Sequence, residues 1–453
     1  MSAAIKSGLT PHSARVLPLL AHADPQRVLV WRGNQPIHTG TFLAEVHALA
    51  ARLPSALYAT NLCADRYRFL VAFCAVIVAG QTNLLPASRA PQAIAEVMSD
   101  YPDSYALCDS AIELPPQRLF MLPDFGALAG DAAVPDIAVD RIVAIGFTSG
   151  STGRPAANPK SWGSFCTCTT LNAAQVCANP AASNIVATVP PQHMYGLETS
   201  VLLPLRGNAA IHAGQPFFPA DIAHALAQVP EPRVLVTTPV HLRALLREIP
   251  TLPALDTIIS ATAPLDAQLA AMAEARYTTR VIELFGSTET CVIAHRRTAR
   301  ESSWQLHAGV ELQPQPDGTL VEAAHFATPV RLQDIVELLP SRQFTLRGRN
   351  ADLLEIAGKR ASLGELTRRL LAIEGVEDGV VFQLDADHNG IRRLAALVVA
   401  QGVSEAQIRN ALRQAIDPVF LPRPLRRVAT LPRNATGKLP RDALLAAIGL
   451  GRR

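Results

Sequence analysis

The segment Phe147–Trp162 reads FTSGSTGRPAANPKSW and sets four hydroxyls and two glycines side by side in Thr148, Ser149, Gly150, Ser151, Thr152 and Gly153. Such a run cannot pack a core, so it is either a flexible linker or a surface built to hold something. It follows directly on Ile142–Phe147, an apolar stretch that reads as a strand. Glycine permits backbone turns that aim successive N–H groups into one concavity, and hydroxyls add donors around it. A tri- or pyrophosphate suits that concavity. The G-x-x-x-x-G-K-[ST] spacing of a Walker A loop is absent.

Further candidate groups recur downstream. His193 stands in PPQHMYGLE, Glu289 in ELFGSTET, Asp334 in RLQDIVEL and Lys438 in PRNATGKLPR. Taken singly, Glu289 and Asp334 read equally as solvated surface acids, His193 as a core histidine and Lys438 as one surface charge among many.

Together these segments resemble the AMP-forming adenylating enzymes: acyl-CoA and aryl-CoA synthetases, luciferases and the adenylation domains of peptide synthetases. TSGSTGRP resembles their phosphate loop, PPQHMYGLE the P-x-x-H-x-x-G segment beside the acyl pocket, and ISATAPL (259–265) the S-G-G-A-P-L turn. ELFGSTET resembles the Y-G-x-T-E motif, GRNADLLEIAGKR (348–360) the interdomain hinge, and PRNATGKLPR the C-terminal lysine loop. The order is the family's, and the resemblance covers about two-thirds of the chain directly.

The resemblance implies activation of a carboxylic acid by ATP with Mg²⁺, giving an acyl-AMP and pyrophosphate. The loop from Thr148 to Gly153 then holds the β- and γ-phosphates. Phe285 lies against the adenine, Gly286, Ser287 and Thr288 line the nucleotide, and Glu289 positions Mg²⁺. Asp334 and Arg349 take the ribose. Lys438 places an ammonium between carboxylate and α-phosphate, a task suited to a point charge on a flexible stem. His193 flanks the acyl pocket and gates the thiol, with Met194, Gly196 and Ala261 along the same channel. Gly358 lets a pantetheine arm pass close to the backbone, where a Cβ would obstruct it.

Several positions depart from the family pattern. Ala156 stands where the lysine of T-G-x-P-K-G is usual, with Lys160 four residues on; Ala351 replaces the hinge Asp or Lys, and Ala261 a glycine. Amino-acid-activating relatives carry an Asp just after the position of His193, and Met194 there disfavours an α-amino acid. A compact chain of this length suits an aryl or short acyl acid. The atypical PAANPK after the loop resembles stand-alone ligases that load aryl acids, such as a hydroxybenzoate, onto an acyl carrier protein in aryl-polyene and xanthomonadin-type pigment pathways. Free coenzyme A is the alternative acceptor, and a non-catalytic nucleotide-binding module the alternative of another class. The basic stretch Arg423–Arg427 and the terminal Gly-Arg-Arg could steer an acidic carrier helix; equally, they could bind coenzyme A phosphates or be solvated charge.

These groups need a scaffold, and the chain alternates short β-branched runs with longer helical ones. Val28–Trp31, Thr82–Pro86, Ile185–Val189, Val234–Thr238, Thr257–Ser260 and Arg280–Leu284 read as strands; Thr41–Leu53, Arg66–Ala79 and Pro91–Ser99 read as helices. That rhythm predicts an α/β fold of layered, mostly parallel sheets, whose ligands bind at loops leaving strand ends. After about residue 348 the texture changes: helices at Leu363–Ile373 and Glu405–Ile416 alternate with strands at Gly379–Gln383 and Leu394–Val399. The expected division is therefore 1–348, an adenylation core, and 349–453, a smaller mobile α+β lid carrying Lys438.

At 453 residues with 49% hydrophobic and 17% charged, large cores are affordable and more than one domain is expected. The 41 basic and 38 acidic residues balance too evenly for a nucleic-acid partner. The scattered seven cysteines lack zinc spacing and read as reduced core thiols. The apolar run before Ala-His-Ala at 21–23 is too short for a signal peptide, and Phe69–Gly80 falls well short of a membrane span. The expectation is a cytoplasmic protein without stable membrane insertion.

Overall fold

The computed structural model describes residues 15–86, 89–112, 116–125, 132–149, 155–177, 182–349, 353–356, 359–384, 393–434 and 437–450. The fold is α/β, as the alternating pattern predicts. Two compact units divide it: Met1–Thr237 with His241–Ile259 and Met272–Val292, and Thr238–Val240 with Ser260–Ala271 and Ile293–Arg453.

In the first unit a six-stranded sheet runs Pro155–Ser161, Ile142–Ser149, Thr82–Leu85, Tyr58–Asn61, Ser104–Cys108 and Leu119–Met121. All neighbours are parallel except Pro155–Ser161, which pairs antiparallel at the edge. Its two prolines hide this strand from a reading of the sequence. Proline lacks an N–H and survives in a sheet only where no ladder partner is needed, and an edge supplies that place.

Across a second sheet lie Gln35–His38, Val28–Arg32, Ala209–His212, Ser183–Ala187, Arg233–Thr237, Thr257–Ser260 and Arg280–Ser287, in that order. The pairs from Val28–Arg32 to Arg233–Thr237 are parallel. Helices such as Pro219–Ala227 and Pro239–Glu248 make the crossovers that parallel strands require.

The helix Arg66–Val78 is apolar almost all round and correspondingly buried. It starts where the Asp65 carboxylate accepts the amide of Arg68 at 2.8 Å, which satisfies one unpaired donor of the first turn. Arg66 is fully buried, and its guanidinium donates to the carbonyls of Ala187 at 3.0 Å and Val189 at 2.8 Å and to the Ser200 hydroxyl. Desolvation pushes its pKa down to about 10, so it stays charged at neutral pH. One buried cation thus fixes the end of the strand Ser183–Ala187 and the segment that follows.

In the second unit, Asp334–Leu339, Gln343–Arg349, Trp304–Leu306 and Cys291–Arg296 pair antiparallel in that order. Further along, Val376–Gln383, Leu394–Ala400 and Leu425–Arg427 form a small sheet. Alternation along its central strand sends Leu394, Ala396 and Val398 to a core with Leu366, Leu370, Ile408 and Leu412, while Ala395 and Leu397 face Phe382 and Leu444. The helix Glu405–Ala415 begins in a capping box between Ser404 and Gln407.

Among the described residues no helix is long and apolar enough to cross a membrane. The seven cysteines are free and six of them are buried, which pushes the Cys166 thiol up to about 11 and keeps it protonated.

Arg66→Met would remove the buried donor from two carbonyls and from the Ser200 hydroxyl, which keeps its own bond to the Gly196 carbonyl, a loss on the order of 3 kcal/mol. The expected outcome is a thermal unfolding midpoint lowered by roughly 5–10 °C for a unit of this size. A midpoint within 2 °C of wild type would show that the guanidinium contributes nothing net.

Candidate active site

Three of the chemistry-bearing segments meet at Gly146, on the strand that feeds the hydroxyl-rich loop. A Cβ built there would stand 2.8 Å from Cγ2 of Thr288 and 3.2 Å from Cε of Met194. Any larger residue would push the Thr288 and Met194 side chains aside. Thr148, at the end of this strand, pairs across the hairpin with Ala156, and Ser149 with Pro155. The remaining loop positions Gly150, Ser151, Thr152 and Gly153, together with Ala351 and Gly358, lie outside the described residues.

Spacing explains the next segment. A Cβ at Gly196 would fall 1.9 Å from the carbonyl oxygen of Pro190, so the chain can fold back over six residues only with glycine there. Between them His193 is extended, with a φ of −85°, and stands at the N-terminus of the short helix Met194–Leu197. Within that helix Tyr195 is half-buried, and its hydroxyl reaches the carbonyls of Thr237 and Ile259, both at 3.1 Å, tying the helix to two strand ends.

The turn after Arg280–Ser287 is equally tight. Gly286 has no room for a side chain, since a Cβ would meet the Cys291 carbonyl oxygen at 2.2 Å. The Ser287 and Thr290 hydroxyls stand 3.2 Å apart and each accepts the other residue's amide, while Cys291 takes a left-handed φ of 60°. Phe285 is half-buried on the strand; Thr288 and Glu289 sit at the tip. Among the described residues the Glu289 carboxylate has no hydrogen-bond or ion-pair partner. A single uncommitted carboxylate on a pinned turn fits Mg²⁺, which takes one or two carboxylates and completes its shell with phosphate oxygens and water. No group of three or more metal-ligating side chains occurs among the described residues.

Beneath this turn lies a buried polar layer. Lys160, 6% exposed, donates from Nζ to the carbonyl of Glu289. Glu198, 1% exposed, accepts from Asn172 Nδ2 at 3.0 Å and from the amide of Val292 at 3.1 Å. Burial pushes the Glu198 carboxyl up to about 8, with the nearby Cys168 thiol adding to the rise.

In the second unit Asp334 opens a strand and stands opposite Arg349 in the antiparallel register. Its carbonyl accepts the Thr319 hydroxyl at 2.6 Å. The exposed Lys438 ends a turn in which its amide donates to Asn434 Oδ1 at 2.9 Å and its carbonyl accepts the amide of Asn434 at 2.8 Å. Arg433 braces that turn by a two-pronged ion pair with Asp378, at 2.9 and 3.0 Å from Nη2, and by donating to the Gly437 carbonyl. Ala261 is buried, and beside it Thr262 holds a left-handed φ of 77°.

The model of the family described as AMP-binding enzyme matches residues 14–320. The chain belongs to the AMP-binding enzyme family. It is 29% identical over 310 residues to a 4-coumarate–CoA ligase of Halorhodospira halophila, which covers 64% of this chain and 73% of that one. Its fold is similar to ATP-bound MatB from Rhodopseudomonas palustris, with a TM-score of 0.81 and 19% identity over 94% of this chain and 96% of that chain. It is also similar to o-succinylbenzoate CoA synthetase from Bacillus subtilis bound to its acyl-adenylate, with a TM-score of 0.77 and 17% identity over 93% and 96% of the two chains.

In this AMP-binding enzyme the sequence reading misses the buried layer. Glu198 stands inside a quoted segment, yet nothing in the local pattern separates a buried acid from a solvated one. Asn172 lies in the helix Trp162–Val176, two turns from the cysteines at 166 and 168, and its partner is 26 residues away. Lys160 carries one usable signal: only four of the 41 basic residues are lysines, namely Lys6, Lys160, Lys359 and Lys438.

Two outcomes follow from the strained and buried groups. Glu198 binds its proton more tightly folded than unfolded, so its contribution falls as pH rises from the ordinary 4.5 towards 8. Thermal melts of Glu198→Gln should match wild type near pH 5 and exceed it near pH 8.5, by on the order of a few kcal/mol; a constant offset would refute the buried-acid assignment. Thr262→Gly removes a left-handed β-branched residue and should stabilise by about 1 kcal/mol or less after the glycine's added chain entropy, measured by urea denaturation.

Proposed function

We propose that this AMP-binding enzyme activates an aryl carboxylic acid, such as a hydroxybenzoate, to its acyl-AMP and passes the acyl group to the phosphopantetheine thiol of an acyl carrier protein. The observation that carries the adenylation step is the meeting at Gly146 of the phosphate-loop strand, the Thr288–Glu289 turn and the Met194 segment. Three segments separated widely in sequence leave one place where nucleotide and acid can share a boundary.

On this reading the loop from Thr148 to Gly153 cradles the β- and γ-phosphates, and Phe285 covers the adenine with Gly286 and Ser287 alongside. Asp334 and Arg349, paired across two strands, take the ribose hydroxyls. Glu289 and Thr288 hold Mg²⁺ against the phosphates; when bound, the ion neutralises charge on the oxygens of the attacked and leaving groups. Lys438 brings an ammonium to the oxygen that joins acid and α-phosphate, where charge develops. The braced turn around it implies that the lysine arrives and leaves with residues 349–453 as a lid, rather than by flexing alone. His193, Ala261 and Gly358 then border the thiol's path. The protein works in the cytoplasm, where ATP and carrier proteins are available.

Support for an aryl acid comes from the 29% identity to a ligase of 4-coumarate and from Met194 in place of an ammonium-pairing acid. The exposed Arg423, Arg426 and Arg427 support a carrier protein, whose acidic helix a cluster of cations would steer. The second reading, transfer to free coenzyme A, is favoured by the acceptor that the same relative's name states.

The test is ATP-dependent pyrophosphate release over a panel of aryl and short acyl acids, with phosphopantetheinylated carrier protein or coenzyme A as thiol. Turnover with the carrier alone is expected, and turnover with coenzyme A alone would replace the acceptor. Lys438→Ala should lower adenylation by roughly 100-fold or more; silence of wild type with every acid and no effect of this variant would favour a non-catalytic nucleotide-binding module.

A further inference from the structure

The turn bearing Glu289 is held at two points, at Glu289 itself and at Val292. Lys160 reaches it from the edge strand Pro155–Ser161, where a bulge falls between Lys160 and Ser161, and binds the Glu289 carbonyl. Glu198, presented by the helical turn that follows Met194–Leu197, binds the amide of Val292, the first residue past the left-handed Cys291. Asn172 steadies that carboxyl from a third element. Lys160 lies near enough to Glu198 for its charge to offset part of the rise in the carboxyl's pKa.

We propose that Lys160 and Glu198 are positioning residues that clamp the turn from Ser287 to Val292 and so fix the direction of the Glu289 carboxylate towards Mg²⁺ and the nucleotide phosphates. The inference rests on the nucleotide site proposed above. Its physical warrant is the cost of the arrangement. Burying an ammonium or a carboxyl is unfavourable unless each finds hydrogen-bond partners, and here those partners include the backbone carbonyl of one functional residue and the amide three residues beyond it. A lysine fits where an arginine would not: a compact point charge can meet a single carbonyl, whereas a guanidinium would bring further donors into a dry space. The chain uses arginine for nearly all its other cations, so a lysine here is a marked choice. The clamp also gives Lys160 a place distinct from the tip lysine that Ala156 replaces, because its ammonium meets the underside of the neighbouring turn.

The working form of the clamp at neutral pH is the protonated Glu198, which glutamine mimics in shape and as an acceptor. Glu198→Gln should therefore keep the clamp, Glu198→Leu should break it, and Lys160→Met and Lys160→Arg should both break it. The readout is equilibrium binding by calorimetry, with no acid present, of ATP at a series of Mg²⁺ concentrations and of AMP without Mg²⁺. Expected is a roughly tenfold weaker Mg²⁺-dependent ATP binding for Lys160→Met and Glu198→Leu, as for loss of one oriented ligand, with AMP binding within about twofold of wild type. Glu198→Gln should bind as wild type does. Equal losses for ATP and AMP, or unchanged Mg²⁺ dependence in Lys160→Met and Glu198→Leu, would overturn the clamp. Wild-type protein that binds neither nucleotide would overturn the nucleotide site itself, and the clamp with it.

Discussion

The site depends on a steric constraint: at Gly146 there is no room for a side chain. Thr288 and Met194 come in from opposite stretches of sequence and occupy the space a Cβ would need. A Cβ would displace a threonine methyl and the tip of a methionine, and an interior packed to the density of an organic crystal leaves little space to take them up. Everything else in the first unit serves to bring those three segments to one point. Arg66 ties down the strand end before Pro190, the Gly196–Pro190 contact folds the following segment back, and Tyr195 anchors it to two further strands.

Two materials divide the work. Glycines at 196 and 286 allow backbones to touch where the turns must be compact, and Gly146 makes room for two side chains. Buried polar side chains then replace the backbone partners that such irregular turns forgo, as Arg66 does for the 187–189 carbonyls and Lys160 and Glu198 do around residues 289–292. Buried backbone groups must be paired somewhere. In this molecule the pairing is delegated to a few charged residues with no contact to solvent.

Much of this was legible beforehand. Alternation of apolar runs located the strands and helices of the first unit to within a few residues, and the order of the short motifs pointed to the family. The glycines stood out because their spacing to neighbouring prolines and acids was fixed. The edge strand Pro155–Ser161 was illegible because proline argues against a strand, and only its place at the sheet's margin removes the objection. Arg66, Glu198 and Asn172 were illegible for a different reason: their partners lie 26 to 134 residues away, and charged residues are by default surface residues. Thr262, left-handed despite its branched side chain, stands where the resembled turn has a glycine, so the motif carried a signal that the residue type itself argued against.

The scarcity of lysine bears on chemical self-preservation. An acyl-adenylate is a mixed anhydride, and it acylates free amines readily while sparing the permanently protonated guanidinium. In a chain with four lysines against a large complement of arginine, Lys160 is buried beneath the turn that bears Glu289 and Lys438 stands exposed. An enzyme that makes such an anhydride would thus carry few amines able to intercept it.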